Sequence, residues 1–271
     1  MRHHIENRIY HVEILPPKQD TEKLMDDLAA FTEKFNRVMA SGYCACITDN
    51  AMGLLAFQGH ECIEELGLEA KPDQVMIHLN TFHTKANLDE ILATCKRLGI
   101  ANLLVISGDG SDRLPKLSPA DVGATDTAAV TSVELLRYIR REHGSFFHLG
   151  VAFNPYEPAD HEDEKMERKL AAGAEFVITQ PIIERNARVD ALLRKHPDLP
   201  VIVEAWMSKK LHLLSDAVGY TIPEDTAFDP IATLKSLHRL YPKCGVYLSL
   251  LGFKTQYDLI KDTWVVEGGA Q

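Results

Sequence analysis

One acidic residue stands where an apolar one belongs. Glu13 interrupts the run His11-Val12-Glu13-Ile14-Leu15, and an acid inside a buried strand loses water, so its pKa is expected to be pushed upward. A carboxyl group that holds its proton near neutral pH can serve as a general acid; the alternative is a buried acid paired with a nearby Arg or Lys. Asp109 lies in Ser107-Gly108-Asp109-Gly110, where glycines on both sides let backbone approach a bound group closely, although alone the motif also reads as a β-turn. Gln180 can donate and accept, which suits the amide-like edges of a heterocycle. His78 shares strand parity with Met76 and Asn80 and reads equally as a core histidine or a ligand contact. A divalent-metal set of Glu13, Asp49, His78 and Asp109 lacks H-x-H, H-E-x-x-H or D-x-D spacing, so no metal is expected. No G-x-S-x-G elbow for a serine nucleophile occurs either.

These residues need elements to hold them. Apolar, β-branched runs cover residues 10–15, 43–48, 75–80, 102–107, 147–153, 176–179, 201–205 and 245–250, with helical periodicity between them. Parallel strands each need a crossover, so eight strand-helix units predict a (β/α)8 barrel, one domain over residues 1–271. A doubly wound sheet is the rival, weakened by the absence of G-x-G-x-x-G after the first strand and of a P-loop anywhere. Barrel enzymes build their sites at the C-terminal ends of strands. Those ends carry Glu13, Asp49-Asn50, His78 and Asn80, Ser107-Gly108-Asp109, Asn154, Thr179-Gln180 and Glu204. Asp49, Asn154 and Gln180 are expected to contact substrate. Asn87 is the expected cap of the helix before Gly99, and Thr131 with Glu134 forms a capping-box pattern. Connections 108–130 and 216–229 are long enough to be functional.

Composition narrows the partners. Lys and Arg number 29 against 39 Asp and Glu, a formal charge of −10, which argues against nucleic acid. The basic groupings Arg137/Arg140/Arg141 and Lys209/Lys210 read as solvated helix faces. Hydrophobic content of 45% with 25% charged residues is enough for a sizeable core. No apolar stretch approaches the roughly 18 residues that span a bilayer, and the charged N-terminus offers no secretory apolar region. Five cysteines, odd in number and set in apolar runs, fit buried free thiols in a reducing cytoplasm; a Cys44/Cys46 metal pair would lack its second pair of ligands.

Taken in order, the segments resemble the catalytic barrel of methylenetetrahydrofolate reductases. Val12-Glu13-Ile14-Leu15-Pro16-Pro17-Lys18, His78-Leu79 and Gly99 through Asp109 are similar to the family's first, third and fourth strands. Arg168 through Gln180, with Ala172-Gly173-Ala174 and Ile178-Thr179-Gln180, is the most specific match. The resemblance implies a reductase in which NADH or NADPH reduces FAD and the flavin passes hydride to methylenetetrahydrofolate, giving 5-methyltetrahydrofolate. It implies Glu13 as the general acid that opens the folate imidazolidine ring and Asp109 between flavin and pterin. Gln180 would bond the pterin or dihydronicotinamide, and His78, Ser107, Gly108 and Lys169 would lie at the flavin or its phosphates. Folate and a nicotinamide nucleotide are then the small-molecule partners, with a homo-oligomer left open.

The chain also departs from that pattern. The family's Arg before Gly-Asp is Ser107, its Tyr-Ala pair before the fourth helix is Thr131-Ser132, and its Gly-Ala stretch after the second strand is Asp49-Asn50-Ala51-Met52-Gly53. Glu204-Ala205 replaces a Pro-Gly, followed by Trp206, which could stack on a planar ligand or pack. Losing the Arg weakens the expected hold on FAD, so direct transfer from a nicotinamide without flavin is the alternative. Two further readings are a non-catalytic folate- or flavin-binding subunit, against which Glu13 and Gln180 argue, and a barrel lyase or aldolase. The last would need a strand Lys or a metal cluster, and none of the eight runs carries a Lys.

Overall fold

The structure, a computed structural model, describes residues 1–260 and residue 263. Eight strands follow one another around a closed barrel, β1 to β8 in chain order. They are β1 (His11–Ile14), β2 (Cys44–Ile47), β3 (Val75–Leu79), β4 (Asn102–Val105), β5 (His148–Phe153), β6 (Phe176–Pro181), β7 (Val201–Trp206) and β8 (Gly245–Ser249). Each falls within a residue or two of its expected run, because a strand buried on both faces reads as a short continuous apolar stretch. β2, β3, β4 and β8 are buried at every residue.

Ten helices accompany them among the described residues: α1 (Arg2–Glu6), α2 (Leu24–Ala40), α3 (Gly59–Glu65), α4 (Lys85–Arg97), α5 (Ser132–His143), α6 (Ala159–Ala171), α7 (Ala187–Lys195), α8 (Leu211–Val218), α9 (Pro230–Leu240) and α10 (Phe253–Gln256). No described helix is long and apolar enough to cross a membrane. Residue contacts group into two compact units.

One unit comprises residues 13–151 and 165–175. Parallel registers run Ile47↔Ile77, His78↔Leu104 and Val105↔Val151, which line up the ends of β2, β3 and β4. α5 starts as expected: the Thr131 side chain caps it, and Glu134 reaches back to the Thr131 N–H at 2.9 Å. α4 corrects the expectation, beginning at Lys85 rather than after Asn87. The Thr84 hydroxyl oxygen accepts the Asn87 N–H at 3.2 Å, so a β-branched cap three residues earlier wins and Asn87 falls inside the first turn.

Arg140 also corrects an expectation. It donates to the carbonyls of Phe147 and Gly173, both at 2.8 Å, and pairs with Glu175 at 2.7 Å, with only 22% of its side chain exposed. The guanidinium therefore clamps α5 to the turn leading into β6 instead of lying in solvent. The long connection 108–130 contains a 3-10 turn, Pro119–Val122, capped by Ser118.

The other unit comprises residues 1–12, 152–164 and those from Phe176 onward. β1 pairs with β8 (His11↔Tyr247) and β7 with β8 along its length. β6 pairs with β7 through Ile178↔Ile202, then shifts register before Pro181↔Glu204. The expected connection 216–229 is shorter at its start, because α8 runs to Val218 before Gly219 turns left-handed and ends it.

Candidate active site at the strand ends

Polar residues stand at strand ends in both units. In the unit of residues 13–151, Glu13 is the half-buried member of β1, its neighbours Val12 and Ile14 being fully buried. Asp49 follows β2 and is buried, and its carboxylate is held from several sides. One oxygen accepts the Asn80 N–H at 2.8 Å and lies 2.7 Å from His83 Nε2. The other accepts the Asn50 side-chain amide at 3.0 Å. The Asn80 side chain in turn donates to the Asp49 carbonyl at 2.9 Å and accepts the Phe82 N–H at 2.7 Å. A buried carboxylate survives only with such donors.

The loop after β4 closes onto this cluster. Gly108 has φ +81°, and a Cβ there would stand 2.8 Å from the Asn80 Cβ. At Gly110, φ +67°, a Cβ would meet the Phe82 ring at 2.3 Å, and one on Gly53 would meet the Gly110 carbonyl oxygen at 2.3 Å. Asp109 is exposed, and its carboxylate accepts the N–H of Met52 at 2.8 Å. Met52 itself has φ +57°. The β4 loop thus meets the β2 loop backbone to backbone at Gly53 and Gly110, and packs against the Asn80 and Phe82 side chains of the β3 loop. The β2 loop is tied further to the β1 loop, where Phe57 donates to the Pro17 carbonyl at 2.9 Å and Gln19 to that of Leu55 at 3.1 Å.

His78, on β3, is buried, and burial pushes its pKa down to about 4, with the nearby Asp49 charge partly opposing. Its ring is therefore neutral at pH 7, able to hydrogen-bond but not to neutralise a negative charge. Ser107 is exposed; its carbonyl accepts the Thr81 hydroxyl at 2.8 Å and its hydroxyl oxygen accepts the Ser132 N–H at 3.4 Å. Lys169 lies on α6 at 5% exposure.

In the other unit, the register shift of β6 falls at Thr179-Gln180, and a bulge re-aims side chains where it occurs. Gln180 is half-buried there, while the Thr179 hydroxyl oxygen accepts the Glu204 N–H at 3.1 Å. The Ser249 hydroxyl donates to the Glu204 carboxylate. Asn154 spends its side-chain oxygen on the Tyr156 N–H at 3.0 Å, a local turn, and Tyr156 donates to the Pro181 carbonyl at 2.7 Å. Trp206 packs: it is 7% exposed, in a cluster with Leu211, Leu214, Val218 and Ile222.

Sequence reasoning missed His83 and Phe82, which follow β3 in a polar stretch without periodicity. It also missed that Asp49 serves protein donors. The signal available was the Asx-rich pair Asp49-Asn50 at the end of a buried strand, since such side chains commonly bond nearby backbone.

The residues expected at a flavin do not fit that group. The glycine faces that would admit a flat ring are filled by Asn80, Phe82 and the Gly110 carbonyl. Asp109 is engaged with Met52, Ser107 brings no charge, His78 is neutral, and Lys169 is buried.

Known proteins resemble the chain in sequence and in fold. A "Methylenetetrahydrofolate reductase 2" of Schizosaccharomyces pombe is 26% identical over 238 residues, 80% of this chain and 36% of that protein. A "Probable methylenetetrahydrofolate reductase (NADH)" of Oryza sativa is 27% identical over 200 residues, 64% of this chain and 30% of that one. The chain thus spans about a third of the length of the curated relatives it matches. Among solved structures, an uncharacterized protein from Clostridium thermocellum that binds two copies of 5-methyl-5,6,7,8-tetrahydrofolic acid superposes with TM-score 0.66. It covers 98% of this chain and 99% of its own at 13% identity, a likeness of fold. The model of the family described as methylenetetrahydrofolate reductase matches residues 1–242, and with it the chain belongs to that family.

Proposed function

We propose that the chain reduces the methylene carbon of 5,10-methylenetetrahydrofolate to a methyl group, with NADH or NADPH as the source of hydride. The observation that carries this reading is Glu13, a half-buried acid in a strand whose other residues are buried, inside the segment that matches the family. The bond between N10 and the methylene carbon must break, leaving its electron pair on N10. Protonation of N10 by Glu13 makes that departure possible, and the carbon is left as an iminium on N5. Hydride from C4 of the dihydronicotinamide then fills the empty orbital, giving 5-methyltetrahydrofolate and oxidised nucleotide. Neutral His78, in the same unit as Glu13, orients without adding charge.

The names of the Schizosaccharomyces pombe and Oryza sativa relatives support the reaction class, the second naming NADH, and the Clostridium thermocellum protein binds a molecule identical to the proposed product. The test incubates the purified chain with 5,10-methylenetetrahydrofolate and each nucleotide, with and without FAD, and follows 5-methyltetrahydrofolate by mass spectrometry. Product above the no-enzyme control is expected. Its absence under all four conditions refutes the reaction.

A further inference from the structure

A dinucleotide flavin makes two demands of a protein: an open face for its ring, and cations or unpaired N–H groups for its pyrophosphate. At the ends of β2, β3 and β4 the first demand meets protein atoms. A Cβ at Gly53, Gly108 or Gly110 would come within 2.3–2.8 Å of Gly110 O, Asn80 Cβ or Phe82, so the glycines serve close packing of one loop on another. The second demand meets Ser107, whose hydroxyl oxygen is turned to the Ser132 N–H, beside the carboxylate of Asp109. The N–H of Met52, a donor on the left-handed β2 loop, is taken by Asp109 at 2.8 Å.

The interlock has an anchor. Asp49 fixes Asn80 and His83 through contacts of 2.8 and 2.7 Å, and Asn80 and Phe82 are the groups that occupy the glycine faces. Opening the face for a ring would therefore break bonds to a buried carboxylate and leave its donors unpaired.

We infer that hydride passes directly from C4 of the dihydronicotinamide to the folate carbon, with no flavin between them. This rests on the proposed reduction and deepens it. One C–H bond breaks at nicotinamide C4 and one forms at the methylene carbon. The electron pair travels with the hydride, the nucleotide is oxidised by two electrons, and the proton required by N10 comes from Glu13. The bookkeeping needs no further oxidant or reductant. Both ligands must then be bound together, in contrast to a flavin that is reduced by one and reoxidised by the other.

The experiment uses nucleotide deuterated at C4 on the transferred face, prepared for each face in turn, with the purified protein in ordinary water. A hydride carried by a flavin sits at N5, whose hydrogen exchanges with water, whereas a hydride passed directly keeps its label. Deuterium retained in the product methyl group, initial-rate lines that intersect, and turnover unchanged by added FAD are expected. Label lost to water, parallel lines of the ping-pong kind, or product formed only when FAD is supplied overturns the inference while leaving the reduction standing. No methyl product with either nucleotide, with or without FAD, refutes the reduction and the inference together.

Discussion

Glu13 and Asp49 are both carboxylates near strand ends, yet their surroundings give them opposite duties. Asp49 is surrounded by donors from Asn50, Asn80 and His83, so its oxygens are spent on holding loops. Asp49→Asn keeps the shape but turns an NH2 toward a donor, which should lower the unfolding free energy by about 1–3 kcal/mol, read from the urea midpoint. An unchanged midpoint would mean that the loops do not depend on this carboxylate. Glu13 lies half-buried in a strand of apolar neighbours, the setting of a proton donor. Glu13→Gln should leave the urea midpoint within a few tenths of a molar while reducing turnover by roughly a hundredfold or more, the usual scale for a positioned acid. Turnover near the parent rate would remove Glu13 from the chemistry. The sequence made Glu13 conspicuous because an acid breaks an apolar run. It could not reveal that Asp49 is occupied, since two of its three partners arrive from beyond β3, more than thirty residues later.

At the scale of elements, the strands were legible because burial on both faces leaves a short, mostly apolar stretch that needs no tertiary knowledge to see. Helix starts were legible where a capping box advertised itself, as at Thr131 and Glu134, and misplaced where two candidate caps competed, as at Thr84 and Asn87. The loops were legible only as long and polar. Their interlock depends on positive φ and close approach, which a glycine permits but does not announce. Gly42 and Gly110 separate the two effects: both have positive φ, +71° and +67°, but a Cβ on Gly42 meets nothing within 4 Å, whereas on Gly110 it meets Phe82 at 2.3 Å. Gly42→Ala should cost only the left-handed penalty, about 1–2 kcal/mol. Gly110→Ala should add an overpacking cost of about 1–3 kcal/mol. Equal midpoints for the two variants in urea would show that the loops give way freely.

Among the described residues of the whole molecule, four buried histidines, His11, His60, His78 and His238, share one response to acid, burial lowering the pKa of each. Burial lowers the pKa of His78 and of His238 from 6.5 to about 4 each, and that of His11 well below its ordinary value. Between those limits the unfolded chain binds protons that the folded chain refuses, so stability rises with pH through the window and is lost as pH falls from about 6.5 toward 4. The urea midpoint at about pH 5 should therefore lie below that at about pH 7.5; a flat profile would mean that these rings take up protons in the folded chain as readily as in the unfolded one. The barrel itself was readable from eight repeats of strand and helix, whereas division of the polar strand-end residues between ligand and protein was not, because it depends on which loops meet. That meeting has a historical consequence. Loops packed this closely are intolerant of any change in length and of any side chain at Gly53, Gly108 and Gly110, so descent within such a family should keep 50–57 and 107–110 at constant length with those glycines in place, and insertions and deletions should gather in stretches such as 124–128, whose backbone bonds stay local.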